Sequence, residues 1–150
     1  ALAVSLLFVG VFSSSMTIAR ECVSDYELYS KAQVDAAEYI EKNTAEKAVF
    51  LTGDNHNNAV AALTGRSIVC GADTFLYYHG INTAERKNEV ANMYADPVGN
   101  KELYKKYNVS YIFVSDVETG EFQINFEGLG QIAEKVYDAQ NVVIYKCNEL

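Results

Sequence analysis

Residues 31–53 read KAQVDAAEYIEKNTAEKAVFLTG, and the two ends of this stretch carry different patterns. Val34, Ala37, Ile40 and Glu41 recur at helical spacing among good helix formers, which predicts an amphipathic helix over residues 31–42 with Asn43 as its stop. Ala48-Val49-Phe50-Leu51-Thr52 is a short apolar run of β-formers ended by Gly53, the pattern of a strand buried on both faces. A strand of that kind belongs in an α/β sheet with helices on either side, so the order helix then strand sets the expected architecture.

Downstream, Ala59-Val60-Ala61-Ala62-Leu63 predicts one or two helical turns closed by Thr64-Gly65, with Gly65 suited to a left-handed C-terminal cap. Ser67-Ile68-Val69-Cys70 follows as a second short strand ended by Gly71. Strand, crossover and strand would pair in parallel with a right-handed connection, although this crossover is near the minimum length. Residues 73–80 are aromatic without a clean period and read as a packed loop. Asn82-Thr83-Ala84-Glu85 resembles a capping box opening a helix over residues 83–95, which Asp96-Pro97 stops. A short helix is expected over residues 102–107, and Tyr111-Ile112-Phe113-Val114-Ser115 is the clearest strand. Glu118-Thr119-Gly120-Glu121 reads as a turn, and residues 134–137 and 142–146 as a hairpin around a four-residue loop. The expected fold class is α/β: a mixed sheet, parallel in its first three strands, with an antiparallel C-terminal hairpin and covering helices. No repeat of 20 to 50 residues is present.

A chain of 150 residues fits one domain, and 49% apolar with 21% charged residues supports a real core instead of a disordered tail. The formal net charge of −8, without any block of Lys or Arg, repels phosphate backbones and argues against nucleic acid as a partner. One Pro, nine Gly and no low-complexity run exclude collagen-like, linker and mucin-like classes.

The N-terminal residues 1–19 carry no charge until Arg20 and Glu21. A helix of that length rises about 28 Å, near the hydrocarbon thickness of a bilayer. Three readings fit: the end of a membrane span, a secretory signal lacking its basic start, or an ordinary buried helix or strand. The chain begins with Ala, so a fragment or processed product is expected. The expected division is an apolar segment over residues 1–21 and a single soluble α/β domain over residues 22–150. The first two readings place that domain outside the cytoplasm. Cys22, Cys70 and Cys147 form no CxxC pair, which excludes a zinc ribbon or thioredoxin-like site. Either Cys22 and Cys147 are bridged across meeting termini, or all three are reduced with Cys70 a small buried residue at a strand end.

The two histidines follow the first two predicted strands: His56 in Gly53-Asp54-Asn55-His56-Asn57-Asn58, and His79 in the aromatic segment. Loops leaving the carboxyl ends of neighbouring parallel strands line one crevice, so Asp54, His56, Asn57, Asn58 and His79, with Arg66 and Arg86, are the candidate ligand-binding residues. Such polar groups beside Tyr77 and Tyr78 suit a saccharide or lipid phosphate. The same residues also suit a structural polar network or a metal site, the last without HxH or HExxH spacing to support it. GxSxG, Walker and GxGxxG patterns are absent, so no catalytic residue, cofactor or metal is expected.

Tyr39-Ile40-Glu41-Lys42-Asn43-Thr44, the strand Ala48-Val49-Phe50-Leu51-Thr52 with His56, Leu63-Thr64-Gly65-Arg66, Gly71, His79-Gly80 with Arg86, and Tyr107-Asn108-Val109-Ser110-Tyr111-Ile112 occur in that order. Over residues 30–147 this string resembles the soluble C-terminal tail of certain bacterial multi-spanning membrane proteins. Those proteins in turn resemble the GT-C superfamily of polyprenyl-phosphate-sugar glycosyltransferases. The resemblance implies an accessory extracytoplasmic domain at the cell membrane. Its partners would be the membrane-embedded part of the same polypeptide and a saccharide or polyprenyl-phosphate sugar. It also implies a catalytic acid in an early membrane loop outside this chain, so the chain alone would not transfer sugar. The alternative is a freestanding secreted α/β module that binds carbohydrate or serves a structural interaction.

Overall fold

The computed structural model describes residues 2–148. Helix α1 (Leu2–Cys22) precedes helix α2 (Lys31–Asn43), strand β1 (Val49–Leu51), helix α3 (Ala59–Thr64), strand β2 (Ser67–Ile68) and helix α4 (Asp73–Tyr78). Helices α5 (Ala84–Ala95) and α6 (Lys101–Lys106), strand β3 (Tyr111–Val114), helices α7 (Asp116–Glu121) and α8 (Phe126–Ile132), and strands β4 (Ala133–Ala139) and β5 (Val142–Cys147) complete the chain.

The five strands form one sheet in the order β2-β1-β3-β5-β4. β1 pairs in parallel with both β2 and β3, while β5 runs antiparallel to β3 and to β4, as the apolar runs predict. Successive strand residues point to opposite faces, and the core divides accordingly. Phe50, Phe113, Val142 and Ile144 face α2 and α3 together with Ala36, Ile40 and Val60. Leu51, Ile112, Val114 and Tyr145 face the other way, toward Val90, Met93 and Tyr94 of α5, Tyr104 of α6 and Leu129 and Ile132 of α8. The result is a sheet covered by helices on both faces.

Cap chemistry sets several boundaries. The Ser30 hydroxyl accepts from the Gln33 amide, and the Gln33 side chain accepts from the Ser30 amide, a reciprocal box that starts α2. Asn58 caps α3 through Ala61, and Gly65 ends that helix in the left-handed region at φ 65°.

The structure corrects the sequence reading in several places. Residues 73–78 are the helix α4, not a packed loop, and their aromatic rings face outward. α4 closes with two reversed bonds, Ile81 N–H to Leu76 C=O and Gly80 N–H to Tyr77 C=O, with Gly80 at φ 74°. This is a Schellman stop, and the missing period of the aromatic run hid it. The capping box at residues 82–85 does not form. Asn82 instead accepts from Ala84 in an Asx turn, and Thr83 donates its hydroxyl to Asp73. Glu118-Thr119-Gly120-Glu121 lies in α7, because Ser115 and Glu118 cap each other reciprocally and outweigh the Gly120 breaker. The hairpin turn is Gln140-Asn141, both at positive φ, so β4 and β5 are longer than expected. α8 was not expected at all, and β2 is shorter than residues 67–70.

α1 measures roughly 31 Å at helical rise, and none of its residues is buried. By length and composition it can cross a membrane, and the reading of residues 1–19 as an ordinary buried element is overturned. Its polar residues are partly self-satisfied: Ser14, Ser15 and Thr17 donate to the carbonyls of Gly10, Val11 and Ser13, one turn back. Cys22, Cys70 and Cys147 are unbridged, so the pairing of Cys22 with Cys147 does not occur.

Candidate functional site

The carboxyl ends of β1, β2 and β3 share one rim, and the segments leaving them supply its polar groups. β1 delivers Gly53 and Asp54, β2 leads into Cys70 and α4, and β3 leads through Ser115 into α7. Glu118, only 2% exposed, ties two of these together. Its Oε1 accepts the Gly53 N–H at 3.1 Å, while Oε2 accepts the Ser115 N–H at 2.9 Å and the Ser115 hydroxyl at 2.5 Å. Asn58 braces the β1 loop from the other side, donating to Thr52 Oγ1 at 2.9 Å and the Gly53 carbonyl at 3.0 Å. Tyr94 rises from α5 beneath the rim, its hydroxyl 2.8 Å from the Phe113 carbonyl and 3.2 Å from that of Leu51. Burial holds that hydroxyl neutral by pushing its pKa well up, so it acts only as a donor here.

Above this support lies a cavity of about 240 Å³ lined by Asp54, Cys70, Lys87, Val90, Glu121 and Phe122, among others. Asp54 Oδ2 sits 2.9 Å from Lys87 Nζ, and Asp73 approaches the same ammonium at 3.8 Å. The hydrogen bond to Asp54 raises the Lys87 pKa, keeping the ammonium charged. Glu121 lies at the outer edge of the cavity. Partial burial, then the negative charge and hydrogen bond of Asp54, push its carboxyl above the ordinary value. Burial, reinforced by Asp54, likewise pushes the Cys70 thiol up, so it is not an activated nucleophile.

Of the residues singled out from sequence, Asp54 is central to the rim. His56 is exposed in the β1 loop, its ring edge-on to Phe75 of α4 at 6.1 Å, and His79 is the residue that ends that helix. Asn57 is half-buried beside Asn58. Arg86 lies over the Tyr107 ring, 5.2 Å from its centroid, with one nitrogen 3.5 Å from the Val69 carbonyl. Arg66 does not join them. It stands at the amino end of β2, where its guanidinium donates to the Thr44 hydroxyl and to the carbonyls of Thr44, Glu41 and Thr64. It therefore seals the C-terminal end of α2, a role set by its place before β2.

Lys87, Glu118 and Glu121 were missed. The signal for both glutamates was Ser115-Asp116-Val117-Glu118, a capping box at the end of the clearest strand, which places Glu121 one turn beyond Glu118 at the end of the short helix. Lys87 has no local signal, because only the packing of α5 brings it to Asp54. Among the described residues, no group of three or more His, Cys, Asp or Glu side chains is arranged to hold a metal ion.

No protein-family model and no curated protein matches the sequence. A solved structure matches the fold. The fold is similar to that of the C-terminal globular domain of oligosaccharyltransferase from Archaeoglobus fulgidus, with a TM-score of 0.56. The match covers 80% of this chain and 99% of the oligosaccharyltransferase domain. Identity is 10%, so the likeness is one of fold, a mixed α/β sheet covered by helices.

Proposed function

We propose that this chain is an accessory extracytoplasmic domain of a membrane glycosyltransferase-like protein, tethered by α1, whose rim contacts the acceptor or a lipid-linked sugar. The observation that carries the reading is the fold likeness to an oligosaccharyltransferase domain over nearly the whole length of that domain. Asp54 and Glu121 provide acceptors for sugar hydroxyls and Lys87 fixes the Asp54 carboxylate, with His56, Asn57, His79 and Arg86 offered as further contacts. The partners are the membrane-embedded part of the same polypeptide and a saccharide or polyprenyl-phosphate sugar.

The rim is a contact surface and not a hydrolytic centre. Glycosidases hold two carboxyl groups roughly 5 to 9.5 Å apart across the scissile bond. Here Asp54 is already engaged by the Lys87 ammonium at 2.9 Å, so it is read as an acceptor and not as half of such a pair. Transfer chemistry belongs to the membrane-embedded part.

The test uses the full chain produced in bacteria. Resistance to carbonate extraction and labelling of Cys22 by a membrane-impermeant maleimide in intact spheroplasts are the expected results. An isoprenyl-phosphate mannose should show saturation transfer to the wild type that Asp54→Ala abolishes. Free release in carbonate would favour the freestanding secreted module. Sugar turnover by the chain alone would overturn the accessory reading.

A further inference from the structure

α4 presents a surface that the fold leaves uncovered. Phe75, Tyr77, Tyr78 and Ile81 are 59%, 73%, 80% and 51% exposed, a concentration of large apolar side chains within seven residues. Only Leu76 turns inward, toward Gly71. A hydrophobic cluster of this size on an otherwise acidic domain marks a surface that meets another phase or molecule. Its composition is amphipathic: two tyrosines stacked edge to face at 5.8 Å, a phenylalanine and a histidine, apolar bodies with polar tips. Tyrosine is the side chain enriched where hydrocarbon meets headgroups.

The position of α4 says which phase. Ser30, Lys31 and Ala32 at the start of α2 line one hollow with Asp116, just past the carboxyl end of β3, and with Gln140 and Asn141 of the hairpin turn. The chain thus arrives from α1 at the carboxyl-end rim, through a linker of eight residues that spans at most about 28 Å. α4 stands on the same rim, held there by the His56–Phe75 contact and by the Lys87 ammonium between Asp54 and Asp73. A bilayer-length helix and an exposed aromatic helix therefore share one end of the domain.

We infer that α4 is a membrane-docking element whose Phe75, Tyr77, Tyr78 and Ile81 side chains lie in the headgroup layer of the bilayer that α1 crosses. This rests on the reading of α1 as a membrane anchor. Docking fixes the tilt of the domain and turns the Asp54–Lys87–Glu121 rim toward the lipid surface. The net charge of −8 opposes attraction to anionic headgroups, so contact comes from the rings and holds on zwitterionic lipid.

The sequence contains no Trp, so a single Trp substitution reports on one place. Phe8→Trp in α1, Tyr78→Trp in α4 and Lys47→Trp at the opposite end of the sheet would be introduced separately into the full chain and reconstituted in phosphatidylcholine vesicles. Each site is exposed, so none of the substitutions disturbs the core. Brominated lipids with the bromines near the headgroup end of the acyl chains serve as quenchers. Tyr78→Trp should lose about half its emission and shift to the blue, while Lys47→Trp should be unchanged. Phe8→Trp should be quenched by lipids brominated deep in the chain. If Phe8→Trp is quenched and Tyr78→Trp behaves like Lys47→Trp, the docking inference fails and the anchor stands. Such a result would leave the α4 face to a protein partner. If Phe8→Trp is not quenched, the anchor fails and the inference as stated falls with it, whether Tyr78→Trp is quenched on a bilayer that α1 does not cross or not quenched at all.

Discussion

Glu118 Oε1 accepts the backbone N–H of Gly53 at 3.1 Å across 65 positions of sequence, joining the loop that follows β1 to the helix that follows β3. The same carboxylate holds the amide and hydroxyl of Ser115. Its removal leaves buried donors without partners, so Glu118→Ala should cost about 3 kcal/mol in urea unfolding, and Glu118→Gln distinctly less. A loss below about 1 kcal/mol for the alanine variant would mean that the Gly53 and Ser115 amides find other acceptors.

Glu121 predicts a pH dependence of stability. Its carboxyl is raised above the ordinary value by partial burial and by Asp54, so the folded chain binds its proton more tightly than the unfolded chain does. The stabilisation is full below the unfolded value and is lost as pH rises through the raised folded value. Glu121→Gln fixes the neutral form. Melting temperatures taken between pH 4 and pH 7 should show the variant gaining on the wild type as pH rises. A constant difference across that range would refute the assignment.

Arg66 lies at the far end of the sheet from the proposed contact rim. Arg66→Ala removes its bonds to Thr44, Glu41 and Thr64, and should lower stability by about 1 to 3 kcal/mol. Saturation transfer from the lipid-linked sugar should persist below the lowered melting temperature. Loss of binding at full stability would return Arg66 to the ligand-contacting set.

The cysteines should separate by reactivity. Burial pushes the Cys147 thiol up to about 12 and raises that of Cys70, whereas Cys22 is exposed on α1. Mass spectrometry after brief maleimide treatment of the native chain in detergent should find one label, on Cys22, and three after denaturation. Rapid native labelling of Cys70 or Cys147 would show that the sheet opens where the structure packs it.

The sheet was legible because β1, β3 and β5 announce themselves with runs such as Tyr111-Ile112-Phe113-Val114, and a strand buried on both faces needs no partner to be recognised. α2 and α3 were legible from spacing and from the Gly65 stop. What stayed hidden were short helices whose residues contradict their state. α4 has aromatics that the fold leaves uncovered, α7 has Gly120 inside it, and α8 carries Gly128 and Gly130. Each is stabilised by a cap or by tertiary packing that local propensity does not register. The candidate site was half visible for a related reason. Asp54 and His56 follow directly from a strand end, whereas Lys87 and Glu121 reach the rim only because α5 and α7 pack there. Arg66 was misplaced because it precedes its strand.

Tyr94 carries one further implication, for how such a domain changes over evolution. The parallel strands β1 and β3, three and four residues long, offer few ladder bonds, yet their Leu51 and Phe113 carbonyls at the rim share a single buried phenol. The post is anchored in α5 and stacked on Phe122, so it does not depend on the identity of the loops above it. Insertions and substitutions over residues 54–57 can then accumulate without unzipping the strands beneath. A domain built this way can change the loops at its rim while keeping its frame.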